Sequence, residues 1–176
     1  MDSTQPAEAP LRQTWGGPPR RRDRTLTAEA GYLLLDRAPY GVLAMSSPDG
    51  QPYAVPMSFG RDGQKLYFHS APEGRKLELI RTNPRAVLCV AECGPAIPAD
   101  TACATTLPYR SALVFGLLRE VSSPAEKAAG LAAVCRAHGI EPPGSGDPGW
   151  QAYWARAERT VVLALDIEQV TVKGRA

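Results

Sequence analysis

No run of apolar residues in this chain approaches the roughly 18 needed to cross a bilayer, and its start, rich in Pro and Arg, lacks the apolar centre of a secretory leader. A cytoplasmic protein without a membrane partner is the expectation. Cysteines number four (Cys89, Cys93, Cys103, Cys135) and histidines two. No cysteine pair has Cys-x-x-Cys spacing, and these residues fall on separate predicted elements, which argues against a zinc or other metal site. Without export signals, the cysteines are read as reduced thiols. The chain also lacks a Walker loop, a Gly-x-Ser-x-Gly elbow and any internal repeat. Gly144-Ser-Gly146-Asp-Pro-Gly149 matches the dinucleotide fingerprint letter by letter. Pro142 and Pro143, however, stand where a strand is required and Pro148 sits inside, so it reads as a loop.

Strong charge of one sign is missing too, the formal net charge being +2. The small excess is local: residues 1–24 carry Arg12, Arg20, Arg21, Arg22 and Arg24 against Asp2, Glu8 and Asp23, and the rest balances. A neutral body argues against a nucleic-acid domain, leaving only the Arg20–Arg24 run as a contact for one.

What is present is a chain of 176 residues, 44% apolar and 22% charged, the composition of one globular domain. Sixteen glycines and 17 prolines predict many turns and hence many strands. Residues 1–23 read as a flexible N-terminal arm, with Trp15 a candidate for docking, and 24–176 as one domain.

Thr27 is a good N-cap for a helix over Ala28–Arg37, with Ala30, Leu33, Leu34 and Ala38 on one face and Pro39 as its stop. Three strands follow: Tyr40–Ser46, Gln51–Phe59 and Lys65–Ser70, split by the turns Ser47–Gly50 and Arg61–Gln64. Such short connections predict an antiparallel meander, with Pro52 and Pro56 making the second strand an edge or a bulged one. A helix over Pro72–Thr82 and strands over Arg85–Glu92 and Pro108–Val121 come next, these strands separated by a long loop, Cys93–Leu107. Ser123-Pro-Ala-Glu126 combines a capping box with Pro at the first helical position and opens a helix to His138. His138, before Gly139, is structural. A turn of helix around Trp150 and strands Thr160–Ile167 and Gln169–Lys173 close the chain. The sum is an α+β domain, mainly β, with six or seven antiparallel strands in a small barrel and a few short helices.

The stretch with most chemistry is His69-Ser-Ala-Pro-Glu-Gly-Arg-Lys76. It places a hydroxyl, free backbone N–H groups and two adjacent cations where a strand meets a helix. A helix N-terminus attracts anions, Arg75 can grip a phosphate bidentately and Lys76 adds a point charge. Either this is a phosphate cradle or it is a solvated first turn; cations there oppose the helix dipole, which has no structural use for them. His69, alternating with Phe68 and Ser70, is either an acid, base or orienting group for a ligand, or a hydrogen-bonded barrel histidine.

The order of several segments carries a family resemblance: Arg-Arg-Arg-Asp-Arg (20–24), Tyr-Gly-Val-Leu-Ala-Met (40–45), Asp-Gly-Gln-Pro-Tyr-Ala-Val-Pro-Met-Ser-Phe (49–59) and Leu-Tyr-Phe-His-Ser-Ala-x-x-Gly-Arg-Lys (66–76). Asn83-Pro84, Tyr109-Arg-Ser111 with Gly116, Glu126-Lys127 and Lys173 follow in turn. From about residue 20 to the end, the chain resembles the flavin-nucleotide-binding branch of the pyridoxamine 5'-phosphate oxidase-like superfamily, near the nitroimidazole-resistance proteins. The resemblance implies an FMN-binding split β-barrel, with FMN ahead of FAD, and a homodimer with flavin at the subunit interface. It assigns Ser70, Arg75 and Lys76 to the flavin phosphate and the strand of Val55, Pro56, Met57 and Ser58 to the isoalloxazine. His69 falls on the substrate side, and Tyr109, Arg110 and Ser111 fall near the cofactor and the dimer seam. Lys173 matches the family's terminal lysine, with Val172 in place of its glycine.

The implied activity is oxidoreduction: electrons pass from NAD(P)H through the flavin to a small organic acceptor, with His69 as the catalytic group and no metal. The alternative is a non-catalytic protein that holds flavin, haem or a deazaflavin.

Overall fold

The structure, a computed structural model, describes residues 20–144, 147–155 and 160–175. Trp15 and most of the expected arm lie outside the described residues, as does the middle of the Gly144–Gly149 stretch.

Thr27 caps helix α1 (Ala28–Leu35), its side-chain oxygen accepting the Ala30 N–H at 3.3 Å. The face α1 buries is Gly31, Leu34 and Leu35, while Leu33, expected on it, is 60% exposed. The cause is a close approach at Gly31: a Cβ there would meet the Val172 side chain at 2.5 Å, so the helix rests along the line through that glycine.

Strands β1 (Gly41–Ser46) and β2 (Pro52–Met57) form a hairpin in which Leu43 faces Val55 and Met45 faces Tyr53. Gly50, at φ 87°, closes the turn. The chain continues through β3 (Gly60–Asp62), β4 (Lys65–Ser70), α2 (Arg75–Thr82), β5 (Arg85–Cys93), β6 (Tyr109–Glu120), α3 (Pro124–Ala137), α4 (Trp150–Trp154) and β7 (Val161–Arg175).

All seven strands belong to one curled antiparallel sheet, a half-barrel of order β2-β1-β5-β6-β7-β4-β3. The order corrects the expected meander. β2 is an edge strand, one of the two outcomes its prolines allowed, but it does not pair with β4, which lies near the other edge. Pairing across long sequence separations decides this, because β1 takes β5 as its second neighbour and β4 takes β7. The last two expected strands are one: Phe115 faces Gln169 and Gly116 faces Ile167, leaving Glu168 as a bulge in a continuous β7.

Alternation along the strands divides the side chains between two faces. The concave face holds the main core, including Leu43, Leu88, Val114, Phe68 and Leu165, closed by Leu34 and Leu35 of α1 and Leu77, Leu79 and Ile80 of α2. On the convex face a smaller cluster sets Tyr67, Val162 and Ala164 against Ala133 and Val134 of α3. No described helix packs on the convex side of β1, β5 and β6, where Val42, Ala44, Val87, Cys89, Leu113 and Leu117 stand.

Ser123 caps α3 by accepting the Glu126 N–H at 3.4 Å, but the capping box stays half made. Glu126 sends its carboxylate elsewhere, accepting from Arg119 Nη2 at 2.7 Å and Lys65 Nζ at 2.8 Å; Arg119 also donates through Nε to Asp166 at 2.8 Å. These hydrogen bonds, Arg119 foremost, hold the Glu126 carboxyl at about 2, below its ordinary 4.5. A carboxyl depressed in the folded state stabilises above its unfolded value, and the contribution is lost as pH falls from about 4.5 through 2. Because the groups are partly exposed, Glu126→Gln should cost only about 1 kcal/mol at neutral pH. Denaturant unfolding should show the gap between the two proteins closing toward pH 3.

Candidate functional site

The period of two that sends Leu66, Phe68 and Ser70 to the concave side turns Tyr67 and His69 outward. The His69 side chain is exposed and makes no hydrogen bond or ion pair with another described residue. Ser70 is the one buried polar side chain among the described residues, 7% exposed, and its hydroxyl donates to the Ala71 carbonyl at 2.9 Å. That donation can be exchanged for a stronger one to an anion.

Four residues on, Gly74 precedes α2 at φ 125° and offers no side-chain cap. An alanine there would meet nothing within 4 Å but would be strained by the backbone angle, so the position needs glycine for conformation alone. The N–H groups of Arg75 and Lys76, which open α2, therefore have no side-chain cap, the Leu77 N–H being donated to the Gly74 carbonyl at 2.9 Å.

Neither cation is firmly engaged. Lys76, half-buried, has no ion-pair partner among the described residues. The Arg75 guanidinium lies over the Tyr53 ring at 5.4 Å from its centroid, and its Nη2 reaches Gln51 Oε1 at a long 3.5 Å. The Asp49 carboxyl is held below its ordinary value mainly by the Ser47 hydroxyl, with Arg75 contributing least. A buried hydroxyl, uncapped N–H groups and two loosely held cations make a donor set that fits a phosphate monoester. Gln51 and Tyr53, which back the cradle, carry no local signal of that role; the curl of the sheet brings them to α2.

Val55, Pro56 and Met57 continue β2 beyond Tyr53, and Ser58 follows its end. Val55 and Met57 lean on the core, Pro56 is exposed and Ser58 half-buried. As an edge strand, β2 has no neighbour on its outer side, so alternate backbone groups face away from the sheet and can meet the polar edge of a planar ring.

The other expected site residues form a separate group. Ser111 pairs with Lys173 and Tyr109 with Arg175, where β6 begins. α2 is tied to the other end of β6 through Arg81 Nε donating to Glu120 at 2.9 Å. Alternation also splits the triplet: Arg110 shares the concave side with Ala112, while Tyr109 and Ser111 face outward. Within one chain, then, Tyr109, Arg110, Ser111 and Lys173 do not meet the cradle. Among the described residues no cluster of His, Cys, Asp and Glu is able to hold a metal, and no helix is long and apolar enough to cross a membrane.

A family model described as pyridoxamine 5'-phosphate oxidase matches residues 27–174. An uncharacterised protein of Rhizobium meliloti (strain 1021) is 43% identical over 44 residues, a match that spans 25% of this chain and 28% of that protein. Three solved structures share the architecture. A candidate 5-nitroimidazole antibiotic resistance protein from Bacteroides thetaiotaomicron superimposes with a TM-score of 0.68 at 22% identity, over 85% of this chain and 86% of that one. The flavocytochrome Anf3 from Azotobacter vinelandii gives 0.72 at 21%, over 90% and 72%. A FAD-binding protein from Mesorhizobium loti gives 0.62 at 25%, over 87% and 98%. The family model runs from the cap of α1 almost to the end of β7 and so takes in the whole half-barrel together with the cradle; the chain belongs to the pyridoxamine 5'-phosphate oxidase family.

Proposed function

We propose that this protein is a cytoplasmic FMN flavoprotein, a homodimeric oxidoreductase that moves electrons from NAD(P)H to a small organic acceptor of the nitroimidazole kind. The observation that carries the reading is the uncapped start of α2, where Arg75 and Lys76 follow the buried Ser70 hydroxyl at a strand-to-helix junction. The flavin-binding names among the structural neighbours support a flavin cofactor, and the nitroimidazole-resistance neighbour supports the acceptor class. Four free thiols suit a reducing compartment.

When bound, the cofactor supplies two-electron transfer between a reduced nicotinamide and the acceptor. The chain's own residues hold and aim it. Ser70, Arg75 and Lys76 take the phosphate, the outer edge of Val55–Ser58 meets the ring, and exposed His69 orients the acceptor or gives it a proton. The apolar convex side of β1, β5 and β6 is the surface a second copy covers. Such a pairing would let the partner's Tyr109, Arg110, Ser111 and Lys173 reach the cradle, which they do not reach within one chain.

The test is the visible spectrum of the purified protein, with mass identification of the released chromophore and light scattering for the assembly. A two-band flavin spectrum, FMN by mass and twice the chain mass are the expected results, with NADH or NADPH oxidation above that of free FMN. A colourless monomer that refuses added FMN would overturn the reading.

A further inference from the structure

A second cavity lies at the far end of the barrel from the cradle, and the proposed flavin site leaves most of it unexplained. Its volume is about 500 Å³, and its walls include Leu26, Pro108, Tyr109, Arg110 and Arg175. The chain's first described residues build its roof. The Leu26 N–H donates to the Val172 carbonyl at 3.0 Å and Thr25 bridges to Lys173, so the single 3-10 turn of Arg22–Arg24 runs beside the last residues of β7. Gly174 makes the close approach possible, since a Cβ there would meet Leu26 Cδ1 at 2.7 Å.

This assembly concentrates positive charge. Arg21 is spent on Asp23, through Nε at 2.8 Å and Nη2 at 2.5 Å. Arg22, Arg24 and Lys173 have no ion-pair partner among the described residues, and Arg110 has only Glu92, at a long 3.6 Å. Arg175 donates to the Thr106 hydroxyl at 2.9 Å, which steadies the guanidinium without neutralising it. Two carboxylates, Asp23 on Arg21 and Glu92 in the cavity wall, thus stand against six cations, of which Arg110 and Arg175 line the cavity beside the apolar Leu26 and Pro108 and Tyr109. Apolar walls with an aromatic ring suit a purine, and a rim of guanidinium groups suits a diphosphate.

We propose that this cavity binds the adenosine diphosphate half of the nicotinamide donor. The assignment rests on the flavin reading, because it needs a cofactor for the donor to reduce. In the dimer, the partner's Tyr109–Ser111 end lies at the flavin, so a dinucleotide anchored there by its adenosine half has its nicotinamide within reach of the ring.

ADP is the probe, titrated by calorimetry at physiological ionic strength into FMN-loaded protein and into the doubly substituted Arg24→Ala/Arg175→Ala. Both positions lie outside the cradle, so FMN affinity should stay within about twofold and report that the variant is folded. The expected result is ADP binding that weakens at least about fivefold in the variant, is displaced by NAD(P)H, and is matched by a similar rise in KM for NAD(P)H with kcat unchanged. Arg175→Glu should act in the same direction more strongly. ADP that does not bind, or binds both proteins equally, overturns the proposal and leaves FMN uptake, read separately, to judge the flavin reading. If FAD-loaded protein alone loses ADP binding and NAD(P)H fails to displace it, the cavity serves the cofactor's own adenylate and the donor assignment falls.

Discussion

Replacing Arg75 and Lys76 together by alanine should leave a folded protein that no longer retains FMN, its affinity lower by at least about 100-fold. A charge-assisted hydrogen bond to a phosphate is worth about 1.5–3 kcal/mol, so losing both cations removes about 3–6 kcal/mol, and each 1.4 kcal/mol is a factor of ten in Kd. Stability should hardly change. Arg75 is exposed and, among the described residues, bound only to Gln51 at 3.5 Å and to the Tyr53 ring, and cations in the first turn of a helix oppose its dipole. The double variant should therefore melt no lower than the parent apo-protein, which separates loss of a site from loss of a fold. Arg75→Lys, which keeps charge but not the fork, should retain part of the affinity. Fluorescence titration of FMN into each apo-protein measures the effect, and unchanged affinity in the double variant would sink the cradle.

That site was visible in the sequence because it is contiguous: Ser70, Gly74, Arg75 and Lys76 need only a strand end and a helix start to come together. The strand Lys65–Ser70 and the cap at Thr27 were equally local and stand where expected. What the sequence left hidden is set by contacts between distant segments. The sheet order puts β2 and β4 far apart because β5 and β7, not the nearest strands in sequence, supply the second ladders of β1 and β4. Glu168 reads as a break between two strands and is a bulge within one. Glu126 has the spacing of a capping box, but a charged Arg119 outcompetes the backbone N–H for its carboxylate. The second cavity is farther still from local reading, since its walls join Leu26, Arg110 and Arg175, which lie far apart in the chain.

His69→Ala should separate binding from turnover. The side chain points away from the concave core and from Ser70, and it contributes no hydrogen bond to the fold, so FMN affinity and melting temperature should remain near those of the parent. If His69 protonates the acceptor, its removal should lower kcat/KM for the acceptor by about 100-fold or more, the usual share of a positioned acid or base. Reduction of the bound cofactor by NAD(P)H, followed anaerobically by loss of visible absorbance, should proceed at close to the parent rate, because that half-reaction needs no group on the acceptor. His69→Gln then divides the two remaining roles. Glutamine keeps a hydrogen-bond donor at that position but cannot pass a proton at neutral pH, so recovery of turnover in that variant assigns His69 to orientation, and continued loss assigns it to proton transfer. Turnover undiminished in His69→Ala would remove the residue from the mechanism while leaving the cradle untouched, since the two sit on opposite faces of β4 and answer to different measurements.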